Sequence, residues 1–261
     1  MDELICGQLA LTIAEQHRRR ENYVPLAKET KRDVAFGYEV QEQLIRLWEP
    51  CFGAVRSWKV GLTTTRMQEM CGVDQPIAGA VFASRVHASP AELDHRQFVR
   101  VGIEAELALR ISSTPEPGRA LSAARMRNHV DAVCAAFEIV DDRAADYATL
   151  DAVSMVADNS WNAGIVLGTP VPLSLEADLL NLEGRLFRNG DLIETGLSLD
   201  AGGDPLNIVA WLATALAARG RCLETGQWVM TGSIVRTQFP TPGDAFQFRL
   251  GDLPPAEARI I

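Results

Sequence analysis

Nine consecutive residues, Ala132-Val133-Cys134-Ala135-Ala136-Phe137-Glu138-Ile139-Val140, are apolar but for one carboxylate. An ionised side chain in such a run needs an opposite charge, hydrogen bonds or a metal, because burying a bare charge costs too much. A second segment, residues 101–111, alternates. Ile103, Ala105, Leu107, Leu109 and Ile111 take one face of a strand, and Glu104, Glu106, Ala108 and Arg110 take the other. Neighbouring carboxylates on one face raise each other's pKa unless a cation joins them. If Glu138 converges on Glu104 and Glu106, the three form a hard oxygen site suited to magnesium, manganese or calcium rather than zinc. Alternation leaves a second arrangement open, with Glu104 and Glu106 facing water beside Arg110 and Glu138 at a strand end beside Arg143.

Around these strands the pattern implies an α+β chain. Residues 3–20 lack proline and are rich in helix formers, and residues 31–48 carry apolar side chains at helical spacing up to Pro50, which is expected to end that helix. Short strand-like runs follow at 57–62, 80–82, 101–111, 132–140 and 164–167, with a helical stretch near 120–129. Asn189-Gly190 between 184–188 and 191–195 signals a hairpin. Residues 205–219 read as a helix with Pro205 in its first turn and Gly220 just past its end, and 227–231 and 245–249 as late strands. The expected division is a helical N-terminal region over 1–55 and a mixed β-rich catalytic domain over 56–261.

Other features narrow the class. The net charge of −9, with only Arg18-Arg19-Arg20 as a basic run, argues against nucleic-acid binding. Five scattered cysteines without a CxxC pair argue against a disulfide framework or a zinc site. No apolar run approaches membrane-spanning length and Asp2 and Glu3 break any signal pattern, so a cytoplasmic location is expected. Lys59 sits among apolar neighbours in Trp58-Lys59-Val60-Gly61-Leu62, where it is either a desolvated catalytic cation or a lysine reaching out to water. Polar groups crowd at Asp158-Asn159-Ser160-Trp161-Asn162 and at Thr231-Gly232-Ser233. Each is readable as a substrate-binding loop or as a turn.

In order along the chain, the segments Lys59-Val60-Gly61-Leu62-Thr63, Gly72-Val73-Asp74-Gln75-Pro76, Ile103-Glu104-Ala105-Glu106, Phe137-Glu138-Ile139-Val140-Asp141, Val156-Ala157-Asp158-Asn159, Asp204-Pro205-Leu206-Asn207 and Thr231-Gly232-Ser233 resemble the 2-keto-4-pentenoate hydratase and 2-oxo-acid decarboxylase group of the fumarylacetoacetate hydrolase superfamily. The resemblance implies a β-rich core of that superfamily with a helical N-terminal region. It implies a magnesium or manganese ion held at Glu104, Glu106 and Glu138, and catalytic roles for Lys59 and Asp158. Substrate contacts are implied at Ser160, Asn162, Thr231, Ser233 and Leu62, with a small 2-oxo acid as substrate and a homo-oligomer as assembly. Its chemistry is chelation of the 2-oxo acid through carboxylate and 2-oxo oxygen. Water then adds at C4 of a 2-hydroxy-alkadienoate to give a 4-hydroxy-2-oxo acid.

One departure from the family pattern opens an alternative. An acidic residue often follows the proline of the Gly-Val-Asp-x-Pro segment, whereas here Pro76 is followed by Ile77. A lost proton-transfer group leaves decarboxylation of a 2-oxo-3-enedioate as the close alternative. Hydrolysis of an acylpyruvate is a more distant one, for which His129 is a weak candidate base.

Overall fold

The structure is a computed structural model that describes residues 2–27, 33–116 and 121–261. Lys31 and Ala120, where two of the expected helical stretches begin, lie outside the described residues. The early apolar periodicity forms α1 (Asp2–Arg19) and α2 (Val34–Phe52), which join in one apolar cluster through Cys6, Ala10 and Ile13 of the first and Phe36, Val40 and Leu44 of the second. Asp33 caps α2 by accepting the Phe36 N–H. The expected stop at Pro50 is not observed. Proline there removes one intrahelical donor in the final turn, yet the helix reaches Phe52 and ends at Gly53, whose φ of 81° takes the chain out of helical space.

The strands form two sheets. The larger has the order β2 (Ile77–Phe82), β1 (Val55–Gly61), β11 (Trp228–Ser233), β5 (Val101–Ile111), β6 (Val130–Asp141), β7 (Asn162–Leu167) and β3 (Val86–Ala88), with the short β8 (Val171–Pro172) also on β6. The smaller has the order β10 (Asp191–Leu197), β9 (Glu183–Arg188), β12 (Ala245–Leu250), β13 (Ala256–Ile260) and β4 (Ala91–Leu93). Three short helices, α3 (Thr65–Met70), α4 (Ala123–Met126) and α5 (Ala152–Ala157), and one long one, α6 (Pro205–Ala217), complete the fold. Asn189 and Gly190 both have positive φ, as a two-residue hairpin turn between β9 and β10 requires. The short elements α3, α5, β3, β4 and the terminal β13 have no expected counterpart, since each is too brief to show a period of its own.

Strand β6 reads as a nearly continuous apolar run because both of its faces are covered. Val133, Ala135, Phe137 and Ile139 face a core shared with Phe246 and Phe248 of the second sheet and with Leu206, Val209 and Leu212 of α6. Ala132, Cys134 and Ala136 face a core of small or slender side chains with Ala108, Ile165, Met230 and Val81, closed by Trp228. Glu138 continues this second face. No helix among the described residues is long and apolar enough to cross a membrane.

Phe137 is fully buried where the two sheets meet, its ring 6.2 Å from that of Phe248. Phe137→Ala is expected to lower unfolding free energy by about 3–5 kcal/mol, read from urea denaturation.

Candidate metal centre

Strands β5 and β6 pair in a register that sets Glu104 directly opposite Glu138, with Glu106 opposite Ala136. All three carboxylates therefore rise on one face, and one oxygen from each lies within 4.8 Å of the others. That span matches the diameter of an oxygen shell around magnesium or calcium, about 4–5 Å. Glu106 and Glu138 are completely buried. Arg110 pairs with Asp131 and Arg143 with Asp158, so the cation of this cluster is neither arginine but Lys59, whose Nζ is 3.2 Å from Glu138 Oε1.

Each glutamate is held by one or more groups of the chain. Asn162 Nδ2 donates to Glu138 Oε1 at 2.9 Å, the Gly232 N–H to Glu106 Oε2 at 2.9 Å, and Thr237 Oγ1 to Glu104 Oε1 at 2.6 Å. Glu106 Oε1 and Glu138 Oε2 are buried with no partner among the described residues. Burial pushes the Glu106 carboxyl well above its ordinary range, and repulsion from Glu138 and Glu104 adds to this. Burial also raises Glu138, against the pull of Lys59. Burial opposes the charge on Lys59, but Glu138, Glu104 and Glu106 outweigh it and raise its pKa. The cluster is thus one ammonium beside three carboxylates, two of which keep a buried oxygen without a partner among the described residues. Such a donor set fits a divalent oxygen-seeking cation.

The remaining sequence candidates divide into those near the cluster and those committed elsewhere. Leu62, at a φ of 52°, joins Ile77, Val140, Met155 and Trp161 in a buried apolar wall. Ile77 lies close to the Lys59 ammonium, because a Cβ placed on Gly61 would meet Lys59 Nζ at 3.1 Å and Ile77 Cγ1 at 3.7 Å. Ser160 donates to Ala78 O at 3.0 Å, Thr231 to Leu107 O at 2.8 Å and Ser233 to Val235 O at 2.7 Å. Asp158 is buried, and its two oxygens are taken by His17 Nε2 at 2.5 Å and by the Arg143 guanidinium. It therefore fastens α1 and the end of β6 to the turn that carries Ser160.

Thr237 is the neighbour of the cluster that sequence reading misses. Residues 234–239 show no periodicity. Thr237 reaches Glu104 because Gln238 exchanges both backbone hydrogen bonds with Ile103. Gly232, by contrast, lies in the Thr231-Gly232-Ser233 segment that the sequence singles out, and there its N–H donates to the Glu106 carboxylate. A methyl at Gly232 would lie 2.5 Å from Thr63 Oγ1, so the loop after β1 closes directly over this glycine.

No family model matches the chain. It is 31% identical over 202 residues to a 2-keto-4-pentenoate hydratase of Burkholderia vietnamiensis, covering 77% of this chain and 76% of the relative. The solved structure of 4-oxalocrotonate decarboxylase from Pseudomonas putida G7, complexed with magnesium and adipate, superposes with a TM-score of 0.91 at 27% identity, over 98% of this chain and 97% of that one. A fumarylacetoacetate hydrolase family protein from Yersinia pestis shares the fold, with a TM-score of 0.59 at 17% identity over 81% of this chain and 95% of that one.

The Asp158 anchor carries a pH signature. Burial works against its charge, but His17 and Arg143 outweigh burial and hold its pKa below the ordinary 3.8. Its contribution to stability is therefore present above that value and lost as pH falls toward and through the lower folded value. Unfolding free energies of the protein and of Asp158→Asn are expected to differ above the ordinary carboxylate range and to converge as pH is lowered below about 4.

Proposed function

The chain belongs to the family of 2-keto-4-pentenoate hydratases and 4-oxalocrotonate decarboxylases in the fumarylacetoacetate hydrolase superfamily, and on that premise we propose that it is a divalent-metal-dependent lyase of small 2-oxo acids that hydrates a 2-hydroxy-alkadienoate. The observation that carries this reading is the convergence of Glu104, Glu106 and Glu138 with Lys59 against Glu138. Glu104, Glu106 and Glu138 would hold magnesium or manganese, which when bound polarises the carbonyl of a chelated 2-oxo acid.

The chain's own groups divide the remaining work. Lys59 places its side chain beside the site, 3.2 Å from Glu138, where an ammonium steadies negative charge on a substrate oxygen and can pass a proton. Hydration adds a proton at the far carbon of the diene and the hydroxyl of water at C4. Ser160 Oγ donates to Ala78 O and Asn162 Nδ2 to Glu138 Oε1, and we assign both to the substrate carboxylate end on the family resemblance, with each turning a donor from its protein partner to the substrate. Leu62 and Ile77 give the hydrocarbon part an apolar wall that excludes bulk water. We assign Asp158, Thr231 and Ser233 to positioning rather than to contact, because their side chains are already spent on groups of the chain.

Decarboxylation of a 2-oxo-3-enedioate is supported by two observations. The likeness to the decarboxylase structure extends over nearly the whole of both chains. Ile77 sets a buried apolar side chain beside Lys59 where a carboxylate would serve to activate water. We further propose a homo-oligomer, supported by an apolar stripe of Leu4, Leu11 and Leu47 exposed across α1 and α2. Cys51, Cys71, Cys134 and Cys222 form no disulfide among the described residues, which accords with a reducing compartment such as the cytoplasm.

Turnover is expected to vanish on chelation and return with magnesium or manganese. A dienoate and an oxo-enedioate assayed side by side separate the two reactions, and carbon dioxide release without hydration would overturn the hydratase reading. Lys59→Met is expected to lower kcat by about a hundredfold or more. Glu106→Gln keeps an acceptor for the Gly232 N–H and removes one buried repelling charge. It is expected to raise the metal-free melting temperature and to abolish the further rise that magnesium gives the unsubstituted protein, both read by scanning calorimetry.

A further inference from the structure

Strand β2 is an edge of the larger sheet, and its outward backbone groups have no partner strand among the described residues. Side chains take that place. The Ala78 N–H donates to Tyr38 Oη at 2.9 Å, and Ala78 O accepts from Gln41 Nε2 at 2.8 Å and from Ser160 Oγ at 3.0 Å. Two residues on, Asn159 mimics a strand, its Oδ1 accepting the Ala80 N–H at 2.7 Å and its Nδ2 donating to Ala80 O at 2.9 Å. Tyr38 and Gln41 are one turn apart on α2. Asn159 and Ser160 belong to a turn in which Asn159, Ser160 and Trp161 all have positive φ, between 49° and 59°.

Three successive non-glycine residues in left-handed space are strained, and such a turn persists only where its surroundings over-determine it. The restraints converge on Gln41. It is 1% exposed, and its second donated bond runs to Val156 O at 3.0 Å, in the last turn of α5 just before the strained residues. Its own Oε1 accepts from Arg219 Nη1 at 3.4 Å, and that guanidinium lies 3.8 Å from the centre of the Tyr38 ring. The turn also bears on the catalytic lysine. A Cβ on Gly79 would meet Asn159 O at 2.6 Å and Lys59 Cγ at 3.3 Å, so turn, strand and lysine stem are in direct contact.

We propose that Gln41 is a positioning residue of the site: by tying Ala78 of β2 to Val156 of α5 it holds the left-handed turn in place, and so fixes Ser160 and the stem of Lys59 relative to the three glutamates without itself meeting substrate. This rests on the functional reading above for the roles of Ser160 and Lys59. A polar residue facing the interior of a helix pair is otherwise costly, and here both of its donors are spent on the segments that frame the site. The glutamate ladder does not depend on Gln41, because β5 and β6 are held by their own register.

The test is a double-mutant cycle of Gln41→Met, which keeps volume but removes both donors, with Ser160→Ala. The readouts are kcat and KM on whichever acid the unsubstituted enzyme turns over, and Mn2+ affinity by electron paramagnetic resonance. Gln41→Met is expected to lower kcat/KM by about tenfold to a hundredfold while Mn2+ affinity changes less than about twofold, with the double variant no worse than the worse single one. Losses that multiply, or Mn2+ affinity falling in step with kcat/KM, overturn the proposal. If Gln41→Met does not fold, Tyr38→Phe, which removes only the oxygen on the Ala78 N–H, enters the same cycle under the same criteria. Turnover and Mn2+ binding by the unsubstituted protein report separately on the functional reading.

Discussion

Two carboxylates stand directly opposite one another across an antiparallel ladder, inside the protein. Like charges in that position repel, and burial multiplies the cost. The pairing of Glu104 with Glu138 is nevertheless imposed, because β5 and β6 bury apolar side chains on their other face against the second sheet and α6. A slip of one residue would turn Ile103, Ala105 and Leu107 out of that core and drive the glutamates into it. The hydrophobic register of the sheet therefore holds the carboxylates together. Lys59, Asn162, Thr237 and the Gly232 N–H relieve part of the resulting strain, and the two orphaned oxygens mark what is left for a cation to satisfy.

The parts of this arrangement that were legible in sequence are those that repeat. The alternation over residues 101–111 puts both glutamates on one face, and one charge in the run 132–140 announces an interior carboxylate. The Asn-Gly hairpin and the helix opened by Pro205 carry their own local chemistry. Pro50 misleads because a proline in the final turn removes a single hydrogen bond, which the rest of a well-buried helix tolerates. Thr237 and the Tyr38–Gln41 pair were invisible for a different reason. Their roles arise from which segments the fold brings together, and no residue type or spacing encodes that. Asp158 was read as catalytic through resemblance, yet its position is set by His17, 141 residues away in sequence, and by Arg143.

The helical N-terminal elements are thus more than a cover. α1 reaches Asp158 through His17, and α2 reaches β2 through Tyr38 and Gln41. The first contact ends on the segment 158–161 and the second on Ala78 and Val156 beside it, and the left-handed backbone of residues 159–161 has little intrinsic stability of its own. The site accordingly has two kinds of support, a ladder stabilised by apolar burial and a turn stabilised by hydrogen bonds from distant helices.

That division bears on how such a fold diversifies. The ladder with Glu104, Glu106 and Glu138 cannot drift by small steps, since any change of register exchanges the whole face. Leu62, Ile77, Trp161 and Thr237 sit on loops, strand ends and a short turn, each fixed by a few local bonds, and single substitutions there reshape the chamber while the ladder stands unaltered. A lineage built this way can alter the surroundings of its carboxylates one residue at a time while the frame that carries them is kept.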